Sequence, residues 1–163
     1  MLDTLFNHFP DEVALNWFTR YHVYSGNRSW RHTSEELFGK SEHNPNILYA
    51  LHLGFFCNEI PSQLEITPDY IINNMTIFPL FKPFMTIERA NRVIKGMIED
   101  DTKGRLIGEL GTNAGGVFLK VGRVIKICKA CLKNDKEDFD ESYIHRIHQI
   151  PGNFLCNKHN CEW

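Results

Sequence analysis

Two short clips near the C-terminus constrain this chain more than anything else in it: "CKAC", with Cys128 and Cys131, and "CNKH", with Cys156 and His159. Twenty-four residues separate them. A Cys-x₂-Cys spacing lets two thiolates grip one ion from a single tight turn, and Cys-x₂-His makes a second grip of the same reach. Four nitrogen and sulfur donors are the set that zinc takes in closed, tetrahedral structural sites. Such a set leaves no open coordination position. The spacing therefore predicts one structural Zn²⁺ that holds shape and does no chemistry. Cys161 is close enough to stand in for His159. His145 and His148, in "YIHRIHQIPG", are competing ligands, though packing and hydrogen bonding around the site suit both better. Cys57 lies far away in an apolar stretch and reads as a small core residue.

The rest of the composition sets the frame for such a site. The 163 residues, 42% hydrophobic and 23% charged, suit a soluble globular protein of one domain or two small subdomains. No apolar run approaches the ~20 residues that cross a membrane. The opening "MLDTLFNHFPDE" lacks the basic and apolar regions of a signal peptide. The expectation is a cytoplasmic protein with no membrane partner. In that reducing setting, five cysteines are metal ligands or buried thiols. Net charge is −2, yet Lys120, Arg123, Lys126, Lys129 and Lys133 form a stripe without an intervening acid. With Arg146 and Lys158 from the second clip, they are the candidate contacts to DNA phosphates.

Punctuation along the first hundred residues predicts short helices. Asp11 is a cap or first-turn acid before Val13, Trp17, Phe18, Tyr21 and Tyr24 at helical spacing, and Gly26 ends that run. "HTSEELFG" reads as a capping box between Thr33 and Glu36, closed by Gly39. "NPNILYALHLGFFCNEIP" reads as an apolar helix. Thr67 with Pro68 opens another helix, and Thr86 a third with Ile87, Ala90, Val93, Ile94, Met97 and Ile98 as its buried stripe. The prolines of "MTIFPLFKPFM" argue against a regular helix. "GTNAGG" lacks the lysine of a phosphate-binding loop, and "VFLKVGRVIKIC" alternates as one or two strands. The fold class expected is mainly α with a small zinc-stabilised α+β C-terminal part, of zinc-ribbon or zinc-finger type. The partition is a helical subdomain over 1–100, a Gly-rich linker over 101–117 and a zinc-binding subdomain over 118–163.

The tail "CKACLKNDKEDFDESYIHRIHQIPGNFLCNKHN" resembles the signature of the TnsD/TniQ family of transposon target-selection proteins. Asp135, His145, Arg146, His148, Gln149, Pro151 and Gly152 stand at the matching places. "FPDEVALNWFTRYHVYSGN", "HTSEELFG" and "TIFPLFKPF" are similar to the family's earlier blocks, so the likeness covers nearly the whole chain. The TnsD branch runs on for hundreds of residues past the C-x-x-H, whereas this sequence stops at Trp163. The expectation is an N-terminal piece of a longer protein. The resemblance implies target selection in a Tn7-like system. Such proteins recognise attachment-site double-stranded DNA or ride on a guide-RNA complex, recruit the AAA+ ATPase TnsC, and leave catalysis to the transposase.

Three further readings stand beside this one. A purely protein-docking zinc module would use exposed aromatics, with Trp30, Phe78, Phe81 and Phe84 as candidate anchors. A helix-turn-helix would need the helix near 33–38 for recognition, yet Glu35 and Glu36 make it acidic. A zinc hydrolase or nuclease would use His145 and His148 as acid and base, but the closed ligand set and the want of a carboxylate partner oppose it.

Overall fold

A computed structural model describes residues 7–41, 49–99 and 124–163. These residues are mostly helical: α1 (Ala14–Ser25), α2 (Trp30–Phe38), α3 (Leu53–Glu59), α4 (Pro68–Met75), α5 (Phe78–Phe81), α6 (Ile87–Ile98) and α7 (Lys129–Phe139). Three 3₁₀ turns, Ser62–Leu64, Lys82–Phe84 and Ile147–Gln149, fill gaps between them. Among the described residues no helix is long and apolar enough to cross a membrane.

The first six helices wrap an aromatic centre. Trp17, Phe18, Phe38 and Phe56 are almost wholly buried. Phe18 meets Phe38 and Phe56 edge-on at 5.0 and 5.1 Å, and Trp17 meets Phe56 edge-on at 5.3 Å. Edge-to-face contact places the positive ring edge on the negative face of its neighbour. Leu37, Leu53, Ile71, Ile72, Met75, Phe78, Val93 and Met97 complete the core. α3 packs against α6 at Gly54, where an added Cβ would lie 2.9 Å from the Ile98 carbonyl oxygen.

Several local expectations hold. Thr67 and Thr86 accept from the amides of Tyr70 and Arg89 as N-caps, and Gly26 and Gly39 close α1 and α2 in the left-handed region. Others are overturned. Ser29, not Thr33, caps α2, because the helix starts a turn earlier at Trp30. Thr33 is then fully buried inside α2, bonded to His22 Nδ1 at 2.6 Å and Asn27 Nδ2 at 3.1 Å. Of the apolar helix expected over 44–61, the residues described from 49 onward form α3 alone, since His52 adopts a left-handed φ of 56° just ahead of it. Ile87 is 76% exposed and lies outside the buried stripe of α6. No strand forms over 124–128, and the described bridges are two isolated ones, Glu12 with His145 and Leu155 with Glu162. The linker expected at 101–117, with Lys120 and Arg123, lies outside the described residues.

The C-terminal segment is tied to the helical part along one seam. The Val13 amide donates to the Ile144 carbonyl at 3.1 Å and the Arg146 amide to the Asp11 carbonyl at 2.7 Å. Asp11, expected as a cap or first-turn acid, instead lies ahead of α1 with a φ of 58° and turns its carboxylate to Arg146 Nε at 3.2 Å and the Ile147 amide at 2.9 Å. Arg146 Nη1 also reaches the Asn73 carbonyl at 2.7 Å. Arg20 bridges Glu12 at 3.1 Å and Glu141 at 2.8 Å, and the Tyr24 hydroxyl donates to Glu141.

Candidate metal centre

α7 begins at the first clip. Cys128 is its N-cap, and its Sγ accepts from the Cys131 amide at 3.5 Å. A thiolate there gains from the unpaired N–H groups of the first turn. Burial opposes ionisation of Cys128. The Cys131 amide and the Cys161 thiol outweigh it and bring the group down to about 7. Burial, with the neighbouring thiols, pushes Cys131 up to about 12. The second clip is a tight turn. The Cys156 amide donates to the Cys161 carbonyl and the Asn160 amide to the Cys156 carbonyl, each at 2.8 Å.

The two clips converge. The ligand atoms of Cys128, Cys131, Cys156 and His159 all lie within 4.8 Å of one another, a group that could hold a metal ion. His159 Nδ1 is 3.5, 3.3 and 3.6 Å from the sulfurs of Cys128, Cys131 and Cys156, and the last two sulfurs are 3.6 Å apart. Tetrahedral bonds of about 2.3 Å to sulfur and 2.0–2.1 Å to nitrogen give edges of roughly 3.5–3.8 Å, close to these four distances. Cys161 lies outside this group of four, with its sulfur 3.4 Å from that of Cys128. Cys57, raised to about 12 by burial, packs against the helical core as expected.

A polar shell surrounds the cluster. His148 is 2% exposed, and its Nε2 lies 3.7 Å from both Cys131 Sγ and Cys156 Sγ. Burial and the nearby His145 hold its pKa down at about 4. His145 Nε2 sits 2.9 and 3.1 Å from the Asp135 carboxylate oxygens. The carboxylate partner that the sequence reading found wanting is therefore present. The pair is sealed inside, however: Asp135 is 5% and His145 3% exposed. Rings continue the packing in a column, from Phe9 through Tyr143, His145 and His148 to Trp163, with successive centroids 4.9, 4.3, 4.9 and 4.5 Å apart.

The candidate phosphate contacts divide. Lys126 Nζ donates to the Ile150 and Asn153 carbonyls at 2.7 and 2.9 Å, and burial lowers its pKa. Its own backbone is paired by the Gln149 side chain, which donates to the Lys126 carbonyl and accepts from the Lys126 amide. Lys126 and Arg146 thus serve the fold. Lys129, Lys133 and Lys158 are exposed, Lys133 within 3.8 Å of Glu137. The aromatic candidates divide too. Phe78 is wholly buried, which corrects its place among surface anchors, and Phe81 and Trp30 pack partly buried against the same core. Phe84 is 88% exposed. A cavity of ≈ 370 Å³ opens along the seam, lined by Ile77, Pro79, Leu80, Ile147 and Ile150 with Asp11, Thr76 and Arg146. Composition did not announce this cavity, because its walls come from segments seventy residues apart.

Fold and site together define a helical module clamped onto a segment built around a three-cysteine, one-histidine cluster. The TniQ family model matches residues 6–162, and the chain belongs to the TniQ family. It is similar to the Transposon Tn7 transposition protein TnsD of Escherichia coli, with 24% identity over 151 residues. That similarity takes in 93% of this chain and 29% of the length of the relative.

Proposed function

We propose that this chain is a target-selection module of a Tn7-like transposition system. In this reading a structural Zn²⁺ on Cys128, Cys131, Cys156 and His159 shapes a docking surface for the AAA+ regulator TnsC. The observation that carries it is the match to the TniQ family across almost the whole chain, with the four donors brought together inside the matched region. Three thiolates and an imidazole suit zinc over harder cations. Four protein donors leave no position for a substrate, so the ion orders the segment and the chain leaves transposition chemistry to other proteins. In this reading the docking surface uses the exposed apolar side chains Leu80, Phe84 and Ile87, exposed by 41, 88 and 76%, of which Leu80 also lines the seam cavity.

The test is titration of labelled, zinc-loaded chain with purified TnsC. Phe84→Ala should weaken binding about tenfold or more, as loss of an aromatic anchor does. Unchanged affinity in Phe84→Ala and Leu80→Ala would overturn the docking surface. A second reading, direct contact with attachment-site DNA, is favoured by exposed Lys129, Lys133 and Lys158. Each contact of this kind lost should lower the salt slope of duplex binding by about one. Preference for the attachment site over a scrambled duplex at moderate salt would place sequence recognition in this chain. Its absence would leave recognition to a guide-RNA complex or to another protein.

A further inference from the structure

We propose that His148 is a positioning residue of the metal centre, its Nε2–H donating a shared hydrogen bond to the thiolates of Cys131 and Cys156. This rests on the zinc reading above. Three thiolates around a divalent cation leave a net charge of −1 in a buried cluster, where Cys128, Cys131 and Cys156 are at most 2% exposed. Buried charge is costly unless hydrogen-bond donors meet it. Cys128 has the amide of Cys131. The sulfurs of Cys131 and Cys156 have His148 Nε2, 3.7 Å from each and so placed to divide one N–H between them.

The ring is held there from every side. His145 stands 4.9 Å away between centroids, itself fixed by Asp135. Trp163 covers it at 4.5 Å and is anchored by its indole N–H on the Asn153 carbonyl at 2.8 Å. The 3₁₀ turn that carries it is pinned on both flanks, by Ile147 on Asp11 and by Gln149 on Lys126. His148 is not the better ligand. His159 Nδ1 stands within 3.6 Å of three sulfurs, whereas His148 Nε2 approaches two at 3.7 Å. With His159 completing the tetrahedron, a fifth donor has a role outside the coordination sphere.

The experiment compares the wild-type chain with His148→Gln, which keeps an N–H donor, and His148→Phe, which keeps the ring and loses the donor. Zinc affinity is read by chelator competition. In ¹¹³Cd-loaded wild-type chain, the His148 Nε2–H proton should show scalar coupling to the metal through the sulfur. His148→Phe should bind zinc roughly 10–100-fold more weakly and shift the thiolate-to-Co²⁺ charge-transfer band; His148→Gln should recover most of both. If His148→Phe fails to fold, the wild-type coupling and the Gln variant decide. Zinc uptake with a His148→Phe variant equal to wild type in affinity and spectrum would overturn this inference alone. Direct ¹⁵N–¹¹³Cd coupling to His148 Nε2 would also overturn it, by making His148 a ligand. A chain that takes up no stoichiometric Zn²⁺ would overturn the zinc reading and this one together.

Discussion

The helical part and the C-terminal segment are held together by different physics. Among the described residues of the helical part, seventeen buried ones, from Ala14 to Met97, form one apolar cluster. From 124 onward the buried apolar cluster contains Cys128, Cys131 and Cys156, with Ala130, Cys161 and Trp163 packed partly against it. The other buried side chains there, Tyr143 apart, are Asp135, His145, His148 and Gln149, all polar. Burial of hydrocarbon stabilises by about 25 cal/mol per Å², and a forty-residue segment with so little of it needs a staple. The lesson is that a cluster able to hold a metal ion stands where a hydrophobic core would otherwise be. Polar residues such as Asp135 and His145 pair beside it, so that the cluster can be buried.

Removing the staple is the largest expected effect. Metal binding in small zinc modules is folding free energy, about 10–16 kcal/mol in zinc-finger peptides. Chelation, or Cys156→Ser, should abolish amide protection over 124–163 while α1–α6 stay protected in hydrogen exchange. Equal loss in both regions, or in neither, would break the comparison.

Truncation of the aromatic centre is the converse. Phe56→Ala should cost about 3–5 kcal/mol, seen as a lower urea midpoint for the helical signal, while metal content stays at one ion per chain. A loss of zinc in this variant would mean that the two regions fold as one unit. The seam is the smallest effect. Asp11 and Arg146 side chains are 31 and 30% exposed, and ion pairs so placed couple by about 0.2–1 kcal/mol. A double-mutant cycle with Asp11→Asn and Arg146→Ala should return a coupling in that range. A value near zero would assign the docking of the two regions to the backbone pairs and the ring column.

Legibility in the sequence followed the range of the interaction. The ligand clips, the Thr67 and Thr86 caps and the glycine stops at 26 and 39 are each decided within four residues, and spacing alone revealed them. Thr33 misled because a cap and a buried hydroxyl have the same residue type, and the choice rested on His22 and Asn27 across a neighbouring helix. The bonds of Lys126 and Arg146 within the fold were hidden in the same way. A cation in a basic stripe looks available until the carbonyls that bind it, up to seventy-three positions away in sequence, are in place.

What the sequence by itself determined was the pair of clips and the helical character. Both are written in local spacing: two residues between ligands, three to four between buried apolar positions. Tertiary structure alone decided that His159 stands among the three sulfurs with Cys161 outside them, that His148 faces the sulfurs while His145 faces Asp135, and that Asp11 turns away from α1 to hold Arg146. Each of those choices turns on which group lies within about 4 Å across a long stretch of chain. Distances of that kind exist only once the two regions have packed.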